Sequence, residues 1–352
     1  MDNPSDFFDR PMAVTGATGM VGCHLVAELL RAGYRNITLV VRRKARVANI
    51  RATLRRLGVA EPEGVLHIVE TELDDPARLT GLMPHIDTLF NCAARIMSGR
   101  LSPQELIDNN VSIARCITDW CLQAGIRKLL HISSISALGD PTSPGEPVTE
   151  TCEPDDIAHY AAYGRSKYYA EEEIRRGAAA GLPVVTVLPG VILGEGDPAA
   201  GNSAALIPAV SCGQPFYTNG LMAYVDVRDV ARALVLLDSH PDAVGQRFIL
   251  SAGDLSYRQL ITLSARAAGR PRPFIPIGRG AVNLAYDAMQ AAIRLHLIAD
   301  RGVTRENLGS VLRHVRYDGN RIVRRYGFRY TPLEETIRRV VRYYRPRKTE
   351  RS

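Results

Sequence analysis

A tyrosine and a lysine four residues apart, in Tyr163-Gly-Arg-Ser-Lys167, are the residues of this chain best spaced to do chemistry. The run from Tyr160 to Ile174 lacks proline and is rich in Ala, Glu, Lys and Tyr, which predicts a helix. On a helix, positions four apart share a face one turn from each other, so a phenol and an ammonium stand side by side. The ammonium favours the phenolate and is expected to lower the phenol from about 10 toward neutrality. A phenol tuned in that way serves as general acid or base for a carbonyl/alcohol pair. The chain has 14 tyrosines and the lysines Lys44, Lys128, Lys167 and Lys348, so about 0.16 such pairs arise by chance. Whether the pair is more than two surface neighbours depends on the elements around it.

The first of those elements is a nucleotide cradle. Pro11 to Val14 reads as a short strand, Thr15-Gly-Ala-Thr-Gly-Met-Val-Gly22 as a turn, and Met20 to about Arg31 as a helix. Strand, glycine turn and helix in that order hold a dinucleotide. Gly16 permits the tight turn, Gly19 lets the backbone approach a pyrophosphate, and Gly22 lets helix and strand pack closely. The helix N-terminus offers free N–H groups to the phosphates. The cofactor-binding residues expected here are Thr15, Gly16, Thr18, Gly19, Met20, Val21 and Gly22. Ile37 to Val41 is the second strand and ends in Arg42-Arg43-Lys44, without the acid that takes a ribose 2′-hydroxyl. An arginine there accommodates a 2′-phosphate, so Arg42 or Arg43 points to NADP(H) over NAD(H). The competing reading makes both arginines part of the basic amphipathic helix Ala45 to Leu57.

Further strands follow at Val65–Val69, Ile86–Phe90 and Lys128–Ile132. The second ends in Asn91-Cys-Ala-Ala94 and the third in Ser133-Ser134-Ile-Ser136. A long helix, Pro103 to Ala124, lies between them and carries Asn109-Asn110-Val111. Small residues and hydroxyls at the carboxyl ends of strands leave room for a ligand above a parallel sheet. The alternation predicts an α/β fold, a Rossmann-type doubly wound parallel sheet.

Taken together, Thr15-Gly-x-x-Gly-x-x-Gly22, Asn91-x-Ala-Ala94, Asn110-Val111, Ser133-Ser134 and Tyr163-x-x-x-Lys167 resemble the extended short-chain dehydrogenase/reductase family. Pro189-Gly190 with Gly194, and Tyr224-Val-Asp-Val-Arg-Asp-Val-Ala231, extend the resemblance over roughly residues 11–345. The resemblance implies that Tyr163 exchanges a proton with the substrate oxygen. Lys167 would hold the nicotinamide ribose and lower Tyr163. Ser134 would bond the substrate oxygen, with Ser136 as the candidate if the register slips by two, and Asn110 would organise the site. Glu72 and Leu73 would meet the adenine, and Ala93, Ala94 and Pro189 would line the cofactor site. A homodimer through the helices around Asn110 and Tyr163 is also implied.

Within the family, Ile135-Ser136-Ala137 stands where dehydratases need an Asp-Glu pair. Met222 stands where nucleotide-sugar enzymes carry a diphosphate-gripping arginine. With the basic strand end, these predict an NADP-preferring reductase or dehydrogenase, nearest to dihydroflavonol-reductase and 3β-hydroxysteroid-dehydrogenase-like members. A nucleotide-sugar 4-epimerase holding NAD tightly is the first rival and a non-catalytic NADP(H)-sensing protein the second. A substrate lid is expected from Leu206–Pro208, the Pro271–Pro276 run and the helix around Ala281–Ile298.

Residues 1–190 are expected to form the nucleotide-binding domain, with contributions from about 222–250, and 191–352 a smaller mixed substrate region with a basic tail. Composition fits an ordinary globular chain, with 46% hydrophobic and 23% charged residues. No run reaches 18 apolar residues and no leader pattern opens the chain, which predicts a cytoplasmic protein without an integral membrane segment. The six cysteines show no metal-type spacing, so no metal is expected and the thiols are read as reduced. The net charge of +7 arises mainly in residues 338–352, where seven basic residues face one acid. It is read as a solvated end without nucleic acid as a partner.

Overall fold

The computed structural model describes residues 4–96, 101–196, 203–295, 297 and 311–344. Helix α1 (Pro4–Asp9) leads into β1 (Met12–Thr15), α2 (Met20–Ala32), β2 (Ile37–Val41), α3 (Val47–Leu57) and β3 (Leu66–Glu70). Then come α4 (Pro76–Leu82), β4 (Thr88–Asn91), α5 (Pro103–Gln123), β5 (Lys128–Ile132), α6 (Ala162–Ala179) and β6 (Val184–Pro189). The later chain contributes β7 (Val191–Leu193), α7 (Leu206–Val210), β8 (Phe216–Tyr217), β9 (Leu221–Asp226), α8 (Val227–Asp238) and β10 (Arg247–Leu250). It continues with β11 (Gly253–Ser256), α9 (Tyr257–Ala268), β12 (Ile275–Pro276), α10 (Arg279–Arg294), α11 (Arg321–Tyr326) and α12 (Leu333–Tyr344).

Seven strands form one parallel sheet in the order β10-β6-β5-β4-β1-β2-β3. The order reverses between β1 and β4, and in such sheets a crevice opens above the strand ends at the reversal. Strands β1, β2, β4 and β6 are buried along their whole length, as a sheet covered on both faces requires. Leu25, Leu29, Phe90, Leu234 and Phe248 fill one face beneath α2 and α8. Leu79, Leu89, Ile117, Trp120, Leu129 and Ile174 fill the other beneath α5 and α6. β11-β9-β7 makes a small mixed sheet and β12-β8 a two-stranded one. The small sheet packs with α7, α9 and α12 around Ile207, Met222, Leu255, Leu260 and Val340.

Local chemistry explains the boundaries that matter for the site. Helix α5 opens with a capping box: Ser102 accepts from the Glu105 N–H at 3.2 Å and Glu105 accepts from the Ser102 N–H at 2.7 Å, a cap worth about 1 kcal/mol. Helix α6 begins at Ala162, two residues later than the sequence suggested. Residues Ile157–His159 form a separate 3₁₀ turn capped by Asp156, whose carboxylate accepts from the Ala158 N–H at 2.9 Å. The helix then runs past Ile174 to Ala179, where Arg176 is tied to Glu173 at 2.9 Å and to Asp119 of α5 at 2.6 Å. This bracing fixes the helix that carries Tyr163 and Lys167.

Candidate active site

The turn between β1 and α2 leaves no room for side chains at two of its glycines. Gly16 has φ +65°, and a Cβ there would lie 2.6 Å from the Cys92 carbonyl oxygen. A Cβ on Gly22 would lie 2.3 Å from the Gly16 carbonyl oxygen. Gly19 caps α2 without a side chain over its first N–H groups, which leaves the helix end open to an anion. One continuous cleft starts there. Its walls include Gly16, Thr18, Gly19, Met20, Val21, Gly22, Arg42, Arg43, Glu72, Leu73, Ala93, Ala94, Ser134, Ser136, Tyr163, Lys167 and Pro189. Apart from Thr15 and Asn110, the sequence positions assigned to a dinucleotide and to proton transfer meet in one crevice above the carboxyl ends of β1, β2, β4, β5 and β6. A turn that excludes a Cβ at two glycines and a helix end left open to an anion fit the phosphates of a dinucleotide.

Tyr163 is the second residue of α6, and Lys167 lies one turn further on. A hydrogen bond joins the Ser134 and Tyr163 side chains, and Ser134 is itself held by the Ser136 N–H at 3.1 Å. Lys167 is 5% exposed and its Nζ donates to the Ile132 carbonyl at 3.3 Å. One expectation is corrected here. Burial pushes the Tyr163 phenol above its ordinary value, and the opposing influence is the Ser134 hydrogen bond rather than Lys167. Lys167 is the group that moves down: burial lowers its ammonium to about 8, with Glu171 and Cys92 opposing. Removal from water penalises the charged form of each group and outweighs the neighbours that oppose it.

At the end of β2 the cleft gathers Arg42, Arg43 and Arg46, with Arg56 from α3 and Arg95 after β4. Although Arg42 is exposed overall, partial desolvation first, and then the neighbouring Arg95 guanidinium, pull it below its ordinary value, against Glu72. An anion placed among these guanidiniums would relieve the repulsion that Arg95 adds at Arg42.

Two expected residues stand behind the cleft. Thr15 is fully buried and its hydroxyl donates to Asn91 Oδ1 at 2.7 Å. Asn91 Oδ1 also accepts from the Ala93 N–H at 3.2 Å, so Thr15 shapes the strand end through Asn91. Asn110 accepts from the Arg95 N–H at 2.7 Å and donates to the Arg95 carbonyl at 3.0 Å and to Ser166 Oγ at 3.1 Å. It clamps the loop after β4 to α6. Met222 is buried in the core beside β11 and faces away from the cleft, so its apolar character says nothing about which substrate enters. Among the described residues, Leu206–Pro208, 271–276 and 281–295 do not line the cleft. Residues 296 and 298 of the expected lid helix, and 345–352 of the basic tail, lie outside the described residues.

Sequence reasoning missed a wall. Arg339, Arg342, Tyr343 and Tyr344 of α12 line the cleft opposite the glycine turn, with Glu195, Gly196 and Arg228. The Tyr344 hydroxyl donates to the Gly196 carbonyl at 2.8 Å and accepts from its N–H at 3.0 Å. Arg56 donates to the Tyr343 hydroxyl at 2.9 Å and its guanidinium sits 4.3 Å over the Tyr343 ring. Arg339 pairs with Glu195 and Asp226. No local pattern announces these contacts. The nearest signal was the apolar spacing of Ile337, Val340 and Val341, which marks a helix with one packed face.

Comparison with known proteins agrees with this geometry. A sequence model of the NAD dependent epimerase/dehydratase family matches residues 12–253. A putative dihydroflavonol 4-reductase of Synechocystis sp. is 26% identical over 337 residues, covering 94% of this chain and 93% of that protein. Sterol demethylase protein B of Methylococcus capsulatus is 28% identical over 275 residues, covering 75% and 76%. A solved nucleoside-diphosphate-sugar epimerase from Pseudomonas aeruginosa superposes with a TM-score of 0.73 at 23% identity, covering 96% and 97%; at that identity it speaks for the fold. With its parallel sheet, glycine turn and matched span, this chain belongs to the NAD-dependent epimerase/dehydratase family of extended short-chain dehydrogenases/reductases and is an enzyme of that family.

Proposed function

We propose that the protein is an NADP-preferring reductase, working on a ketone or aldehyde or, in reverse, a secondary alcohol. The observation that carries this reading is the shared cleft: Tyr163, Lys167 and Ser134 open into the same crevice as the glycine turn and the Arg42–Arg43 strand end. When bound, the nicotinamide cofactor supplies or accepts the hydride. The chain's own residues handle the proton and the orientation. Burial holds the Tyr163 phenol protonated at neutral pH, the form that delivers a proton to a carbonyl oxygen. Its place in the first turn of α6 lets the helix N-terminus stabilise the phenolate left behind. Ser134, bonded to Tyr163, orients the same oxygen. Lys167 at the cleft floor is the cation for the ribose hydroxyls and the phenolate. Arg42, Arg43 and Arg46 receive the 2′-phosphate, and Asn110 holds the Arg95 loop beside it. A small-molecule substrate, a homodimer through α5 and α6 and a cytoplasmic location belong to the same proposal.

The test is to denature the purified protein and identify released nucleotide by mass spectrometry, then to follow NADPH oxidation with a panel of carbonyl compounds. An exchangeable site and NADPH-dependent turnover support the reading. Near-stoichiometric NAD that survives dialysis, with turnover of nucleotide sugars, replaces it with the 4-epimerase. Cofactor binding without turnover of either class leaves the sensing protein.

A further inference from the structure

Large apolar side chains left in water are not spread evenly over this molecule. Nine are exposed among the described residues, and six of them, Phe216, Phe274, Ile275, Leu284, Leu295 and Leu297, come from β8, β12 and the residue before it, α10 and the residues just after it. The other three, Leu82, Leu122 and Val244, are scattered singly, which is ordinary for any surface. Phe274, Leu284, Leu295 and Leu297 are each 69–73% exposed, so they are hardly covered at all.

Helix α10 and the residues just after it supply three of these six, Leu284, Leu295 and Leu297. Of its 16 residues only Val282 is buried. Val282, Tyr286, Met289 and Ile293 follow helical spacing along its inner face, where the last three are partly covered. Ala281, Leu284, Ala285, Ala288, Ala291 and Leu295 recur at the same spacing on a second face, and every one of them is exposed. A helix this short draws its stability in water from packing an apolar face. This one has two such faces and the fold partly covers only one.

Charge identifies what covers the other. Arg266, Arg270, Arg272, Arg279 and Arg294, in the same stretch of chain, are all exposed, and among the described residues no ion pair engages any of the five. Asp287 is the sole acidic residue between positions 266 and 294. Two copies meeting antiparallel on this helix would set Arg279 against Arg294 and gain nothing from the other three. A surface that is apolar just beneath a negative layer satisfies leucines, phenylalanine and arginines together. An amphipathic helix with arginines beside its apolar face has the properties of one that lies in the plane of a lipid interface.

We infer that the α10 face, with Phe216, Phe274 and Ile275, docks the protein on an anionic phospholipid surface, without crossing it. No helix of the described residues is long and apolar enough to span a bilayer, so the attachment is peripheral and reversible.

The experiment is co-sedimentation of the full chain with vesicles of phosphatidylcholine alone and of phosphatidylcholine with about one-third phosphatidylglycerol. Binding to the anionic vesicles, reversed by salt, is expected. Each arginine near such a surface strengthens binding about fivefold, so Arg270→Ala with Arg272→Ala weakens it about 25-fold. Leu284→Glu with Leu295→Glu abolishes it, and Leu82→Glu on α4 leaves it intact. Should the double glutamate variant fail to fold by circular dichroism, Phe274→Ser supplies the same reading. The inference is overturned if the chain stays in the supernatant with both vesicles, or if binding survives the glutamates and Phe274→Ser. It is also overturned if the chain dimerises, Leu284→Glu dissolves the dimer and no vesicle is bound.

Discussion

Replacing Arg43 with alanine separates the two nicotinamide dinucleotides, because only one of them carries a phosphate on the adenosine ribose. That phosphate bears about −1.5 to −2 charges at neutral pH. A unit charge pair at 4 Å is worth about 4 kcal/mol at the effective dielectric of a protein surface and about 1 kcal/mol in bulk water. Arg42 and Arg43 are both exposed, so the lower half of that range applies, about 2 kcal/mol, or close to 30-fold in Kd. The structure sets the ceiling as well: Arg46, Arg56 and Arg95 share the cleft and keep the region positive after one guanidinium is lost. Arg43→Ala alone therefore weakens NADPH by roughly 10- to 30-fold, and reversing the preference takes Arg42→Ala in addition. The assay is titration of cofactor fluorescence at two salt concentrations. NADH affinity is expected to change less than about twofold, and the NADPH difference to shrink as salt screens the exposed charges. Equal weakening of both cofactors refutes the placement of the 2′-phosphate at this strand end.

Other perturbations test the rest of the site. Tyr163→Phe removes the proton carrier and should cut kcat by about 10²- to 10⁴-fold with NADPH affinity nearly unchanged; retained turnover sinks the assignment. Lys167 has a depressed pKa of about 8 in the folded protein, so its ammonium is present below that pH and lost as pH rises through it. The kcat/KM profile of the free enzyme should accordingly fall above about pH 8, and Lys167→Met should erase that limb along with most of the activity. A Cβ at position 22 would lie 2.3 Å from the Gly16 carbonyl oxygen, so Gly22→Ala must shift the turn. A loss of about 2 kcal/mol or more in thermal stability is expected, with a weakened cofactor site; a wild-type melting curve with wild-type NADPH binding contradicts the close packing.

What the residues announced in advance were the features with a local cause. Ile37–Val41 and Lys128–Ile132 are strands over the predicted residues, because a parallel strand covered on both faces reads as a mainly apolar run, into which Lys128 fits by donating to the Leu237 and Asp238 carbonyls. The glycine spacing foretold the cradle, since two of those positions admit no Cβ. The four-residue interval placed Tyr163 and Lys167 on one face. The electrostatics of that pair were not legible. Sequence spacing shows that two charges are near, while their exclusion from water depends on everything packed over them, and burial reversed the expected direction for Tyr163. Thr15 was placed in the right neighbourhood but one layer too far forward, acting on the strand end through Asn91. Met222 reads like an apolar substitute for a ligand-gripping arginine, yet its face is set by the register of β9 against β11, which no local pattern reports. The α12 wall was invisible for the same reason.

The bridge from Arg56 to Tyr343 joins residues 287 positions apart, and both line the crevice. Contacts of that sequence separation are costly to close in entropy and form after the local strand–turn–helix units. We expect the crevice to be the last part of the molecule to assemble and the first to fray. A dinucleotide bound beneath α12 would then act as a late fastener, and the two would protect each other in proportion to cofactor occupancy. Amide hydrogen exchange with and without NADPH reads this directly. Slowing confined to α12 and to Gly196 would show the cofactor stitching the end of the chain to its beginning, and unchanged exchange there would show a wall that stands without it.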